Sequence, residues 1–219
     1  MSAATTVMPI LATPLGIATL PDADRLNPAL NELFAQRMAA DQRPARNPLR
    51  FLGSDDLTEW PEAPVRRLVE GMAGAIHSLV GSVSVISEAQ LRSCRFEMRA
   101  WFTVVRPNGS VPAASYPLTA WCATYCATAP ALADDRADSG VVRLYESNLG
   151  TTFQDATNSV LRIPYSRSHY AWRPVAGQLI IFPASLTHEV ALLRAAGDLV
   201  LVTARCRFVA PGQQGFSRW

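Results

Sequence analysis

Reactive side chains are few in this chain, and their types narrow the chemistry before any fold is considered. All 20 side chains counted as lysine or arginine are arginine, so a Schiff-base lysine, a pyridoxal-phosphate enzyme and a P-loop are excluded together. The histidines are His77, His169 and His188. Cys94, Cys122, Cys126 and Cys206 lack Cys-x-x-Cys spacing, and two cysteines four apart on a strand lie about 13 Å from each other. That is too far for a disulfide, so buried free thiols are expected. Ser185 has no Gly-x-Ser-x-Gly elbow around it and reads as a turn serine.

One stretch delivers a histidine to a strand end. In Pro174–Val190, PVAGQLIIFPASLTHEV, Pro174 and Gly177 bracket a turn and Gln178–Phe182 is an apolar run of strand length. Pro183 stops that run, and His188 opens the next strand. The strand Asp198–Phe208 follows, with Leu199, Leu201, Thr203, Arg205 and Arg207 on one face.

The elements before this stretch must hold it in place. Pro9–Leu20, cut by Pro14, reads as an edge strand or two extended pieces. Asn27 as N-cap with Pro28 at the first helical position predicts a helix over Asn27–Ala40, with Leu30, Leu33, Phe34 and Met38 toward the core. Asn47–Pro61 reads as a loop. A second helix over Pro64–Val80 carries the apolar stripe Val65, Leu68, Val69, Met72, Ile76, Leu79 and Val80. His77 falls off that stripe and is expected to be exposed near the helix end.

From Arg95 the period changes to two. Phe96, Met98, Ala100, Phe102 and Val104 alternate with Arg95, Glu97, Arg99, Trp101 and Thr103 up to the turn Pro107-Asn108-Gly109. Short apolar runs follow at Leu118–Ala127, Val141–Glu146, Ser159–Ile163, His169–Arg173, Gln178–Phe182, His188–Leu193 and Leu199–Val209. Many short strands closed by turns predict an all-β sandwich or barrel. Residues 1–219 are read as one domain: a two-helix segment over 1–94, a β core over 95–209 and a tail over 210–219.

The pattern Pro174-x-x-Gly177, Phe182-Pro183, four spacer residues, then His188-x-Val190 resembles the C-terminal core of the iron(II)/2-oxoglutarate-dependent oxygenases, in particular their bacterial and phage group. The resemblance implies a mainly β (α+β) double-stranded β-helix, a cupin-like jelly roll, with an N-terminal helical layer. It also implies a site of three metal ligands on one face of an iron ion, with an arginine gripping 2-oxoglutarate.

His188 stands at the family's last ligand position. Counting back from Pro117, the two early ligand positions hold Ala114 and Tyr116, and Leu199 holds the position of the arginine. The resemblance therefore implies an oxygenase-like pseudoenzyme with a degenerate metal site, in which neither Fe(II) nor 2-oxoglutarate is expected. Its cavity would serve a ligand, a partner or metal-free chemistry, lined by Trp101, Tyr116, Trp121, Tyr125, Thr203 and Arg205. Arg205 fits either the cavity or a solvated strand end. Two alternatives stay open. One is an active oxygenase that uses Fe(II) and 2-oxoglutarate through relocated ligands such as Glu146, His169 and His188. The other is a metal-free enzyme with His188 as base and Tyr116 or Glu146 as acid.

Charge sets the expected partners. The net charge of +2 comes from 20 and 18 scattered charges with no basic run, which argues against nucleic acid. The N-terminal segment lacks a positive region and is broken by Pro9 and Pro14, so neither a leader nor a membrane span is expected, and the cytoplasm is the expected location. A small-molecule ligand or a protein, including a second copy in a homodimer, remains as partner.

Overall fold

The protein is described from a computed structural model that covers residues 12–43, 47–116, 118–131, 138–145 and 169–212. Its elements run β1 (Gly16–Thr19), α1 (Ala23–Ala40), β2 (Arg50–Leu52), a 3-10 turn (Leu57–Glu59), α2 (Ala63–Val83), α3 (Glu88–Ser93), β3 (Arg95–Val105) and β4 (Val111–Ala114), then β5 (Trp121–Thr128), β6 (Val142–Tyr145), β7 (Tyr170–Trp172), β8 (Gln178–Pro183), β9 (Thr187–Val190) and β10 (Leu199–Val209). The strands form a six-stranded sheet, ordered β1-β8-β5-β10-β3-β2, and a four-stranded sheet, ordered β4-β9-β6-β7. Every pairing between named strands is antiparallel. This is the jelly roll with a helical layer that the sequence predicts.

The large sheet is buried on both faces, and strand alternation sorts its side chains. Toward the helices go Ala100, Phe102, Val104, Tyr125, Leu179, Ile181 and Val202, which meet Leu30 and Phe34 of α1 and Leu68, Met72 and Ile76 of α2. Phe34 stacks on Phe102 with ring centroids 4.4 Å apart. Toward the small sheet go Val105, Cys122, Ile180, Phe182, Leu199 and Leu201, which meet Val142, Leu144 and Trp172. The continuous run Leu179–Phe182 follows from this double burial, since neither face of β8 meets water.

Several elements differ from expectation. Helix α1 begins at Ala23, because the Asp22 carbonyl accepts the amides of Arg25 and Leu26 at 3.0 and 2.9 Å and starts the turn early. Asn27 is thus a buried helical residue that accepts a hydrogen bond from the Tyr125 hydroxyl at 2.6 Å. His77 is half-buried between Phe96 and Phe208, at ring distances of 4.7 and 4.9 Å, rather than exposed. Part of the expected loop Asn47–Pro61 is β2, a three-residue edge strand on β3, too short to show a period. Helix α3 was not anticipated; it opens on a capping box of Ser87 and Gln90 with both reciprocal hydrogen bonds present. The expected strand Ser159–Ile163 lies outside the described residues.

The turn before β8 is as expected. Gly177 adopts φ +87°, a left-handed conformation in which a Cβ would also come within 2.7 Å of the Ala23 side chain.

The buried Tyr125–Asn27 hydrogen bond ties α1 to the middle of the large sheet. Tyr125→Phe leaves the Asn27 carbonyl buried without its donor and should cost about 1–3 kcal/mol in urea unfolding. Adding Asn27→Leu should recover part of that loss. An unchanged unfolding midpoint in Tyr125→Phe would show that the bond does not hold the helix.

Candidate functional site

His188 is the second residue of β9, and its placement starts at the preceding turn. There the Leu186 amide donates to the Pro183 carbonyl at 3.0 Å, and the Ala184 amide to the Ala120 carbonyl at 3.0 Å. The Ala184 carbonyl accepts the Tyr116 amide at 2.9 Å, which fixes Tyr116 beside the same turn. The His188 ring packs 5.1 Å from Phe182 and 5.4 Å from Tyr116. Burial pushes its pKa below the usual histidine value, against a smaller opposing effect of the Leu186 carbonyl, 3.5 Å from Nδ1. A proton on Nδ1 that faces this carbonyl leaves Nε2 as the acceptor.

Across the strand pair, β4 lays Ala114 directly opposite His188 and Val111 opposite Val190, with a register shift between them. Tyr116, just beyond β4, meets Trp101 edge-on at 5.5 Å and lies under the Arg205 guanidinium, whose carbon is 5.6 Å from the ring centre. Burial raises the Tyr116 pKa to about 12; Cys122 adds to the rise and Arg205 opposes it. The phenol therefore stays protonated at neutral pH.

These side chains border a cavity of about 410 Å³ between the two sheets. Its floor is the inner face of the large sheet, where Trp101, Thr103, Leu201 and Thr203 alternate with residues of the helical core. Thr124 and Thr203, paired across β5 and β10, bring their hydroxyls to 3.5 Å. Arg50, Gly53 and Asp55 form part of the rim, and Asp55 accepts a hydrogen bond from Arg205 at 3.2 Å. Arg205 therefore belongs to the cavity, where the sequence left a solvated strand end as the alternative.

The other expected positions separate from this group. Leu199 lines a distinct, smaller cleft beside Gly140 and Leu193, because it lies one and two inward-facing positions before Leu201 and Thr203 on β10. Trp121 and Tyr125 face the helical core, since on β5 only the alternate residues, Cys122, Thr124 and Cys126, point toward the small sheet. His169 is exposed, with its ring 5.8 Å from that of Tyr145. Tyr145 donates to Glu189 at 2.6 Å, and Arg143 pairs with Glu189 at 3.1 Å; these three alternate with the core residues Val142, Leu144 and Val190. Glu146 and Pro117 lie outside the described residues.

Arg50, Asp55 and Glu189 were not anticipated. The first two come from the stretch read as a loop, and no spacing in the sequence marks them.

As a home for iron, the described part of this site fits poorly. Among the described residues no three of His, Cys, Asp and Glu come together as a metal-holding group. Alanine has no donor atom at the position opposite His188, and Tyr116 holds its proton. The buried thiols stay protonated too, since burial pushes Cys122 up, and Cys126 and Cys206 up to about 12, and none of the three is among the described residues that line the cavity. Among the described residues no helix is long and apolar enough to cross a membrane.

No protein-family model matches the sequence, and no curated protein does. Solved structures match over nearly the whole chain. A prolyl-4-hydroxylase from Pseudomonas putida is 16% identical, with 91% of this chain and 94% of that one covered and a TM-score of 0.56. The non-heme α-ketoglutarate-dependent carbocyclase SnoK from nogalamycin biosynthesis is 9% identical, with 90% and 80% covered and a TM-score of 0.60. A prolyl hydroxylase from Trichoplax adhaerens, solved with a hypoxia-inducible-factor peptide, is 10% identical, with 94% and 88% covered and a TM-score of 0.56. At these identities the likeness is one of architecture: the chain has the jelly-roll fold of the 2-oxoglutarate, iron(II)-dependent oxygenases.

Proposed function

We propose that this chain is a small-molecule-binding protein of the oxygenase fold, whose cavity works without iron and without 2-oxoglutarate. The observation that carries this reading is the strand pair of Ala114 with His188, with the protonated Tyr116 phenol against the same imidazole. One histidine offers a metal a single bond where a three-ligand site offers a chelate of fixed geometry. Leu199, at the position the resemblance gives to the 2-oxoglutarate arginine, is a buried apolar side chain, 2% exposed. A carboxylate at that position, in the cleft beside Gly140 and Leu193 and apart from the cavity that His188 borders, would be desolvated without a partner, at a cost of several kcal/mol. What remains is a cavity of ligand size, aromatic on one side and threonine-lined on its floor, as small-molecule sites commonly are.

His188 and Tyr116 have roles in such a cavity that need no metal. With Nδ1 turned to the Leu186 carbonyl, His188 offers an acceptor, and the protonated Tyr116 hydroxyl is a donor. Acid/base chemistry by this pair is the second reading that the geometry favours, since both groups are held in the form required at neutral pH.

Anaerobic reconstitution with iron(II), desalting and metal analysis, followed by a succinate-release assay with 2-oxoglutarate, tests the proposal. The expected result is substoichiometric iron and no 2-oxoglutarate-dependent succinate. Stoichiometric iron with succinate release that disappears in His188→Ala would overturn it and send the search to Glu146 and His169.

A further prediction concerns pH. The folded-state pKa of His188 is depressed, so its neutral form is favoured by folding. Its stabilising contribution is complete above the unfolded-state value of about 6.5 and is lost as pH falls toward the folded value, at no more than about 1.4 kcal/mol per pH unit. Urea unfolding at pH 7.5 and 5.5 should show a smaller acid loss in His188→Leu than in the unsubstituted protein. Equal losses would place the proton uptake elsewhere.

A further inference from the structure

One end of the cavity presents a donor and an acceptor that the protein itself does not use. Tyr116 and His188 both line it, both are half-buried, and their rings are 5.4 Å apart. Among the described residues the Tyr116 hydroxyl and His188 Nε2 take part in no hydrogen bond, and the one contact of the imidazole nitrogens is Nδ1 with the Leu186 carbonyl at 3.5 Å. Neither atom is sealed inside the protein. The phenol can donate and Nε2 can accept, so a ligand group that does the reverse at both atoms satisfies the pair.

The surroundings set the rest of the ligand. Trp101, Thr203 and Thr124 form one row across β3, β10 and β5, and Arg205 lies two residues further along β10, about 7 Å away. Tyr116 spans both levels, since its ring meets Trp101 at 5.5 Å and lies under the Arg205 guanidinium at 5.6 Å. A single substituted ring therefore reaches every group invoked. The Tyr116 ring is inclined by 74° to Trp101 and by 55° to His188, so a flat ligand ring meets both edges and faces. Burial keeps the proton on Tyr116, whose pKa is raised to about 12, and the guanidinium over its ring makes the hydroxyl a better donor.

We infer that the cavity takes an uncharged phenol, whose hydroxyl accepts a hydrogen bond from Tyr116 and donates one to His188 Nε2 while its ring lies against Trp101. One hydroxyl answers both atoms at once. A phenol donates more strongly than an alcohol and, with a pKa of about 10, stays neutral at pH 7. A carboxylate fits less well, because it has no proton to give His188 and because Arg205 already hydrogen-bonds to Asp55 at 3.2 Å. The inference rests on the proposal that no iron occupies the His188 end, and it adds the class of ligand.

The test is a ¹H–¹⁵N NMR titration of the full chain with phenol, anisole, cyclohexanol and benzoate. Phenol should shift the amides of Ala114, His188 and Thr203 saturably. Anisole keeps the acceptor oxygen but has no proton for His188, and should bind about tenfold more weakly, the weight of one unmade hydrogen bond. Cyclohexanol and benzoate should each bind several-fold more weakly than phenol. His188→Leu should bring phenol down to the level of anisole and leave anisole unchanged, whereas Tyr116→Phe, which keeps the ring contacts, should weaken both several-fold. Equal binding of anisole and phenol, tighter binding of benzoate, shifts centred elsewhere, or no shift of these amides by phenol would each overturn the inference. Anaerobic iron(II) alone is the separate arm. Broadening of the same amides by one equivalent of iron would sink the metal-free proposal whatever phenol does, whereas silence to iron together with silence to phenol overturns the ligand class only.

Discussion

The constraint on which this molecule depends is the burial of its large sheet on both faces. Strands β8, β5, β10 and β3 send alternate residues to the helices and to the space between the sheets, so each strand serves two interiors at once. A side chain's position along the strand decides which interior it enters. Thr203 reaches the cavity floor because Val202 and Ala204 pack on the helical side, and Tyr125 is lost to the cavity because Thr124 has taken the inward place. A shift of one residue would exchange the two sets and leave hydroxyls in the helical core.

Burial also governs the chemistry of the site. It holds His188 neutral and Tyr116 protonated, and it silences the thiols of Cys122, Cys126 and Cys206. Charge enters mainly at the rim, and there both acids are matched: Asp55 by Arg205, and Glu189 by Arg143. On the same strand Arg207 is tied to its cross-strand partner Glu97 at 2.6 Å. Arg99 and Arg205 face each other directly across β3 and β10, and their repulsion is relieved because each turns to its own carboxylate, Glu59 and Asp55.

Much of the fold was legible in the sequence because period and punctuation agreed. The stripe from Val65 to Val80 marked α2, the alternation from Phe96 to Val104 marked β3, and Gly177 and Pro183 bounded β8. What escaped was short or locally ambiguous. β2 has three residues, and β4 carries a proline and two alanines in a stretch without apolar alternation. Asn27-Pro28 has the chemistry of a helix start but lies inside α1, where the Tyr125 hydroxyl outbids a cap. Within the site, the resemblance placed Ala114, Tyr116 and His188 in one neighbourhood, and their proximity follows from the β4–β9 pairing. The misjudged aromatics, Trp121 and Tyr125, needed the parity of β5, which an almost wholly buried strand conceals: its two ends are half-buried and every residue between them is buried.

The central claim is that His188 borders a ligand cavity and is not an iron ligand. It is tested most directly by a crystal grown and soaked anaerobically with iron(II) and 2-oxoglutarate and measured at the iron absorption edge. The expected result is no anomalous peak within bonding distance of His188 Nε2, and no 2-oxoglutarate density between the sheets. An anomalous peak bonded to that nitrogen, with further protein ligands completing the sphere, would contradict it.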